Sequence, residues 1–259
     1  MKKILMISCN GGIGRAVLEK ILNDDYYIYL TVHTENELKV IKKRYEKYTN
    51  IDFFKVDITL DSDLDKLENL DVDIMINMAA VGYGGSILDL DIEKVRKNFE
   101  VNVFSYFNVL KKIINKMISK NSGKIIVISS LASFIPLKFL GVYCATKSSI
   151  NSITISLQKE LNFINSKVKV ILVEPGMYHT GFNQVMLENK YNIMDDSIFK
   201  EEIDLIRKNE NIFFFLMEKK SFDSIVNKII CAIKFDNVLV YRAPFLQSIM
   251  VKIYNFFRV

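Results

Sequence analysis

The sequence predicts an α/β chain, a doubly wound parallel sheet of about seven strands with helices on both faces. Apolar runs of strand length alternate with longer segments of helical periodicity along the 259 residues, as strands joined by crossover helices do. Two of the runs, KIIVIS at 124–129 and KVKVILVEP at 167–175, are close to continuously apolar, which suits strands covered on both faces. Half of the residues are hydrophobic, enough to fill the core of one undivided domain of this length.

The first strand is expected near 3–7. The opening MKKILMIS has the basic start of a leader peptide, but its apolar run is short and passes straight into a glycine turn, so it reads as a buried strand. A helix near 13–23 follows, then a strand near 27–33, a helix near 35–48, a strand near 51–56 and a helix near 61–70. Strands near 73–77, 124–129 and 168–174 form the middle of the sheet, separated by helices near 90–119 and 142–164. A helix near 221–235 and a strand near 237–241 complete the alternation. Residues 183–220, with Met186, Phe199, Leu205 and the run Ile212 to Met217, fall between two such units and read as an inserted helical flap. The segment 245–258 repeats apolar residues at Leu246, Met250, Ile253 and Phe257, with Lys252 and Arg258 among polar ones, the pattern of an amphipathic helix.

Composition removes several function classes. The net charge of +5 comes from basic residues spread along the chain, with no dense block that would line a nucleic-acid groove. Ten glycines and three prolines are too few for a disordered linker. Three scattered cysteines, Cys9, Cys144 and Cys231, suit a reducing, cytoplasmic interior better than a disulfide framework. Two histidines, His33 and His179, leave little material for a metal site or a Ser-His-Asp triad, and no metal is expected. No stretch approaches the roughly 20 uncharged apolar residues of a membrane span.

The chemistry-bearing residues cluster where strands end. Ser8-Cys9-Asn10-Gly11-Gly12-Ile13-Gly14 lies between the first strand and the next helix, where missing side chains let a pyrophosphate approach the helix N-terminus; a plain turn is the competing reading. Tyr143 and Lys147 stand one helical turn apart on the same face, and an ammonium beside a phenol favours phenolate. That pair alone is expected by chance in a chain this rich in both residue types, and a surface pair would look the same. The conjunction is more telling, because Ser129-Ser130 ends a predicted central strand and ligands of open α/β sheets bind at such ends. A hydroxyl there could stabilise charge developing on a substrate oxygen.

With these residues in place, the chain resembles the short-chain dehydrogenases/reductases of the classical type over about residues 3–181 and more loosely to 244. The matching motifs are the turn ending Gly12-Ile13-Gly14, Asp57-Ile58 after the third strand, Asn77-Met78-Ala79-Ala80 after the fourth, Asn102, Ser130, Tyr143 with Lys147, and Pro175-Gly176 with Thr180. The resemblance implies one NAD(P)-binding Rossmann-like domain over 1–259, with the flap at 183–220 and the C-terminal segment as appendages. It implies an oxidoreductase interconverting a carbonyl and an alcohol, with Tyr143 as general acid or base and Ser130 positioning the reacting oxygen. Lys147 would lower the tyrosine pKa and hold the nicotinamide ribose, and Asn102 would support a proton relay. The cofactor would lie against Ser8, Asn10, Gly11, Gly12, Ile13, Gly14, His33, Asp57, Ile58, Asn77, Ala79, Tyr143, Lys147, Pro175, Gly176 and Thr180.

The sequence departs from the family pattern in three places. Ile7-Ser8 stands for the usual Thr-Gly, and Asn77-Met78-Ala79-Ala80 for Asn-Asn-Ala-Gly, losing two glycines. At the end of the second strand Val32 occupies the usual acidic position and His33 the place of an arginine, which favours NADP(H) over NAD(H). His179 reads as a loop residue near the cofactor.

The flap's methionines, leucines and phenylalanines suggest an apolar cleft for a lipid-like, acyl or ring-shaped carbonyl compound. The resemblance implies a homodimer or homotetramer built through the helices near 90–119 and 142–164. For the C-terminal helix, core or subunit packing is favoured over peripheral membrane contact. Two rivals stand beside the cytoplasmic enzyme: a non-catalytic NADP(H)-binding regulator that keeps the fold, and a membrane-surface reductase of lipid intermediates.

Overall fold

The computed structural model describes residues 1–257; Arg258, counted above in the C-terminal segment, lies outside them. Seven strands, β1 (Lys2–Ile7), β2 (Tyr26–Val32), β3 (Ile51–Lys55), β4 (Ile74–Asn77), β5 (Lys124–Ile128), β6 (Lys169–Pro175) and β7 (Val240–Ala243), form one sheet in the order β3-β2-β1-β4-β5-β6-β7. All neighbours pair in parallel. The chain winds outward from β1 to β3, then crosses to β4 and winds the other way, so a crevice opens beyond the carboxyl ends of β1 and β4.

Alternation along each strand feeds two cores. Ile4 and Met6 of β1, Ile126 of β5 and Ile171 and Val173 of β6 join one cluster; Leu5, Ile7, Ile125, Val127, Val170 and Leu172 join the other. The first is covered by helices α1 (Gly12–Ile21) and α2 (Glu35–Arg44), and later by α9 (Asp223–Lys234), through Val17, Leu18, Ile41, Ile225 and Ile229. The second is covered by α3 (Asp61–Glu68), α5 (Ser105–Ser119) and the long α6 (Gly141–Phe163), through Leu64, Val109, Ile113, Ile150 and Leu161. Burial on both faces is the reason the central strands carry so little polarity.

Two expected elements differ in detail. The helix expected over 90–119 is α4 (Ile92–Phe99), a wider π-helical turn over Glu100–Phe104, and then α5. The wide turn carries Asn102, whose amide reaches out of the helix to Val81 and Thr146. The last strand begins at Val240, three residues late, because the chain is still turning off α9. There Lys124, buried, donates to the carbonyls of Ala232, Ile233 and Phe235 and pairs with Asp236. The segment between β6 and α9 is two helices, α7 (Phe182–Met194) and α8 (Ile203–Met217), and α10 (Phe245–Phe257) follows β7. Among the described residues no helix is long and apolar enough to cross a membrane.

Candidate active site

The carboxyl ends of β1, β5 and β6 open onto a cleft of about 460 Å³. Gly11, which lines the cleft, is the N-cap of α1 and offers no side-chain cap. A Cβ placed on Gly11 would meet nothing within 4 Å, whereas one on Gly14 would lie 2.3 Å from the carbonyl oxygen of Cys9. Gly14 therefore lets helix and strand approach, and Gly11 leaves the first N–H groups of α1 facing open space. Such a helix end attracts anions, and the donor set suits a dinucleotide pyrophosphate.

Helix α6 places Tyr143 and Lys147 one turn apart, both buried. Burial pushes the Tyr143 phenol above its usual pKa, and a hydrogen-bond interaction with Ser130 opposes the shift. Burial pulls the Lys147 ammonium down to about 8. Its Nζ donates to the Ile128 carbonyl at 3.3 Å and lies 5.8 Å from the centre of the Tyr143 ring. Desolvation is the leading influence on the phenol here, and the Lys147 ammonium on which the sequence argument relies is not among the causes of its shift. Ser130 lies two residues beyond β5, and its Oγ accepts from the Ala132 N–H at 3.1 Å.

Tyr143 also faces a second cavity of about 430 Å³, which shares Ser130, Tyr143, Gly176 and Asn183 with the first. Its other walls are largely apolar: Leu137 and Leu140 before α6, Met186 and Leu187 of α7, Phe213 and Phe214 of α8, and Met250 and Val251 of α10. Phe182 stacks obliquely on Tyr143 at 5.8 Å. Lys190 of α7, fully buried, pairs with Glu210 of α8, and Tyr191 donates to the same carboxylate at 2.6 Å. That seam holds the two helices together over the cavity.

A family model described as short chain dehydrogenase matches residues 2–190. The chain belongs to the short-chain dehydrogenases. It is similar to a diacetyl reductase, (S)-acetoin forming, of Staphylococcus epidermidis, 30% identical over 261 residues, covering 93% of this chain and 99% of the relative. It is also similar to an NADPH-dependent 3-dehydrocapnine reductase of Ornithobacterium rhinotracheale, 27% identical over 190 residues, covering 70% and 66%. Among solved structures, a short-chain dehydrogenase/reductase of Burkholderia phymatum in complex with NAD superposes with a TM-score of 0.81 at 18% identity, over 97% of this chain and 92% of that one. This short-chain dehydrogenase is therefore an NAD(P)-binding oxidoreductase acting on alcohol and carbonyl groups.

Most expected site residues of the dehydrogenase converge on the first cleft: Ser8, Asn10, Gly11 to Gly14, His33, Ser130, Tyr143, Lys147, Pro175, Gly176 and Thr180. Five do not line it. Asn77 turns its amide onto the Ala79 N–H at 3.3 Å, and by strand alternation Met78 and Ala80 face the cleft in place of Asn77 and Ala79. Asp57 accepts from the Thr59 N–H and hydroxyl at 3.0 and 2.7 Å and pairs with His33 at 3.2 Å, while Ile58 is buried in the second core. Asn102 accepts from the Val81 N–H at 2.8 Å and donates to the Val81 carbonyl and Thr146 Oγ1 at 2.9 and 3.0 Å. His179, outside that expected set, pairs with Glu218 at 2.8 Å in the loop before α7.

One charged residue of the cleft was missed. The sequence shows no acid at the end of β2, but Glu37, three residues into α2, folds its side chain back into the cleft. Its carboxylate accepts from Asn10 Nδ2 at 3.0 Å and from the His33 and Thr34 N–H groups at 3.0 and 2.9 Å. Burial raises its pKa, but these bonds outweigh burial and the net shift is downward. The Thr-x-x-Glu capping-box spacing at 34–37 was the signal that could have placed it there.

Proposed function

We propose that this chain is a carbonyl reductase or alcohol dehydrogenase in which Tyr143 transfers the proton. The observation that carries the reading is that Tyr143 and Ser130 form the common wall of two cavities, one with an uncapped helix N-terminus and one largely apolar. A bound nicotinamide supplies or accepts the hydride. In the reducing direction the carbonyl carbon gains that hydride and its oxygen takes the phenolic proton of Tyr143, which solvent replaces. The raised phenol pKa keeps that proton on Tyr143 until the oxygen becomes basic enough to take it. Ser130 is suited to hold the reacting oxygen, and Lys147 to hold the ribose of the cofactor. Asn102 acts by tying the 81 loop to α6 beneath Tyr143. We read residues 1–259 as one dinucleotide-binding domain with α7 and α8 as a flap over the substrate, assembling as a homodimer or homotetramer through α4, α5 and α6.

The names of the relatives include one NADPH-dependent reductase, and several similar structures hold NADP or NADPH while one holds NAD. In this chain the choice rests on His33 and Glu37. The N–H groups of His33 and Thr34 and the Asn10 amide, which would cradle a 2′-phosphate, already hold the Glu37 carboxylate. NADP(H), favoured by the sequence, must displace that carboxylate, whereas the ribose hydroxyls of NAD(H) can donate to it.

The reading is tested by following nicotinamide absorbance with each cofactor against a panel of short and long apolar ketones and alcohols, with Tyr143→Phe as control. Turnover that depends on Tyr143 is expected. Cofactor binding with no turnover on any substrate class would favour the non-catalytic regulator.

A further inference from the structure

Helix α10 is turned the wrong way for a helix facing water. Its buried residues are Gln247, Ser248 and Val251, while Leu246, Ile253, Phe256 and Phe257 are 52–82% exposed. Helix α8 has no buried residue, and Phe215 and Leu216 are 85% and 72% exposed. The inward polar face of α10 is fixed by its bonds. Gln247 accepts from the Met177 N–H at 2.8 Å and donates to the Met217 carbonyl at 2.6 Å, and its Oε1 sits where a Cβ on Gly176 would be. Rotating the helix to hide its phenylalanines would break both bonds and open the loop after β6.

The exposed side chains belong to the two helices that wall the apolar cavity. Phe213 and Met250 both line that cavity and are 46% and 47% exposed, so they mark its rim, one from each helix. Residues 211–217 and 245–257 contain a single charge, Lys252, and the exposed Lys219 and Lys220 follow α8. Exposed apolar residues gathered on two helices at a cavity rim mark an interaction site. A second copy of the chain pressed onto it would stop the mouth through which substrate must pass. A lipid surface leaves the mouth open to its own molecules, and the three lysines suit anionic headgroups.

We propose that the α8–α10 face docks on an anionic lipid surface and that the substrate is a lipid-like carbonyl or alcohol drawn from that surface into the cavity. This rests on the reading of the Tyr143 site given above. It also reverses the order expected from sequence, where packing was favoured over membrane contact, because the apolar stripe of α10 faces outward.

The test is sedimentation of the full chain with phosphatidylcholine vesicles, with and without phosphatidylglycerol. Binding should be stronger on the anionic vesicles and weaken with salt. The double variant Phe215→Glu, Phe256→Glu, which touches neither cavity, should bind at least about tenfold more weakly and lose turnover of a vesicle-borne long-chain ketone. It should keep wild-type turnover of a short water-soluble ketone and the wild-type thermal midpoint. Failure of the wild type to sediment with either vesicle would overturn the proposal, as would a vesicle-free dimer that the double variant dissociates. In either case Tyr143-dependent turnover of the soluble ketone would leave the active-site reading standing. Vesicle binding without any Tyr143-dependent turnover would sink the active-site reading and the substrate part of this proposal together.

Discussion

Ser8 holds a left-handed backbone, φ 55°, at the position where β1 gives way to the glycine turn and where the family keeps glycine. A side chain in that region costs about 1–2 kcal/mol, part of which glycine would lose again through its freer unfolded state. Ser8→Gly should therefore raise stability by about 0.5–1 kcal/mol in urea unfolding, and an unchanged midpoint would show that the turn relaxes in solution. Gly14 is the opposite case: with a Cβ meeting the Cys9 carbonyl at 2.3 Å, Gly14→Ala should cost about 2 kcal/mol or more. Glu37→Gln keeps an acceptor for the Asn10 and Thr34 donors but removes the charge that competes with a 2′-phosphate. The ratio of NADP⁺ to NAD⁺ affinity, measured by calorimetry, should move toward NADP⁺ by about tenfold. An unmoved ratio would mean that Glu37 does not share the phosphate's donors.

At the scale of elements, the loop carrying Ser130 is held from below by a buried chain of polar groups. Arg242 of β7 pairs with Glu174 of β6, which accepts from Asn151 of α6 at 2.6 Å; Asn151 also donates to Ser133 at 2.7 Å, and Ser133 donates to the Ser130 carbonyl at 2.7 Å. Burial pushes the Glu174 carboxyl from 4.5 up to about 7, against Arg242 and Asn151. The folded chain then binds more protons than the unfolded one between those values, so stability falls as pH rises through that window. In Glu174→Gln this part of the pH dependence, on the order of 2 kcal/mol, should disappear between about pH 5 and pH 7.5, as read from urea midpoints. The strands were legible because a strand covered on both faces has no room for polarity, and KIIVIS and KVKVILVEP show that in one dimension. The wide turn at 100–104 was not, because Asn102 leaves the helix for Val81, a partner 21 positions away. Glu37 escaped for a related reason: its function depends on a side chain folding back over its own N-cap, and the strand end alone gives no hint of that.

For the whole molecule, the winding of the sheet gathers Gly11, Ser130, Tyr143, Lys147 and Gly176 from four separate stretches of chain onto one crevice. That convergence was legible, since motif order and strand-end position together fix it. The outward set of α10 was not, because an apolar stripe looks the same in sequence whether it meets a core, a partner or a lipid. The two cavities meet only at the wall that Tyr143 and Ser130 help to form, so the account turns on the phenol. Its most direct test is single-turnover hydride transfer from reduced nicotinamide to an apolar ketone, in wild type and in Tyr143→Phe. The account predicts unchanged cofactor affinity and a transfer rate lower by about 10²- to 10⁴-fold in the variant. Equal rates in the two proteins would contradict it.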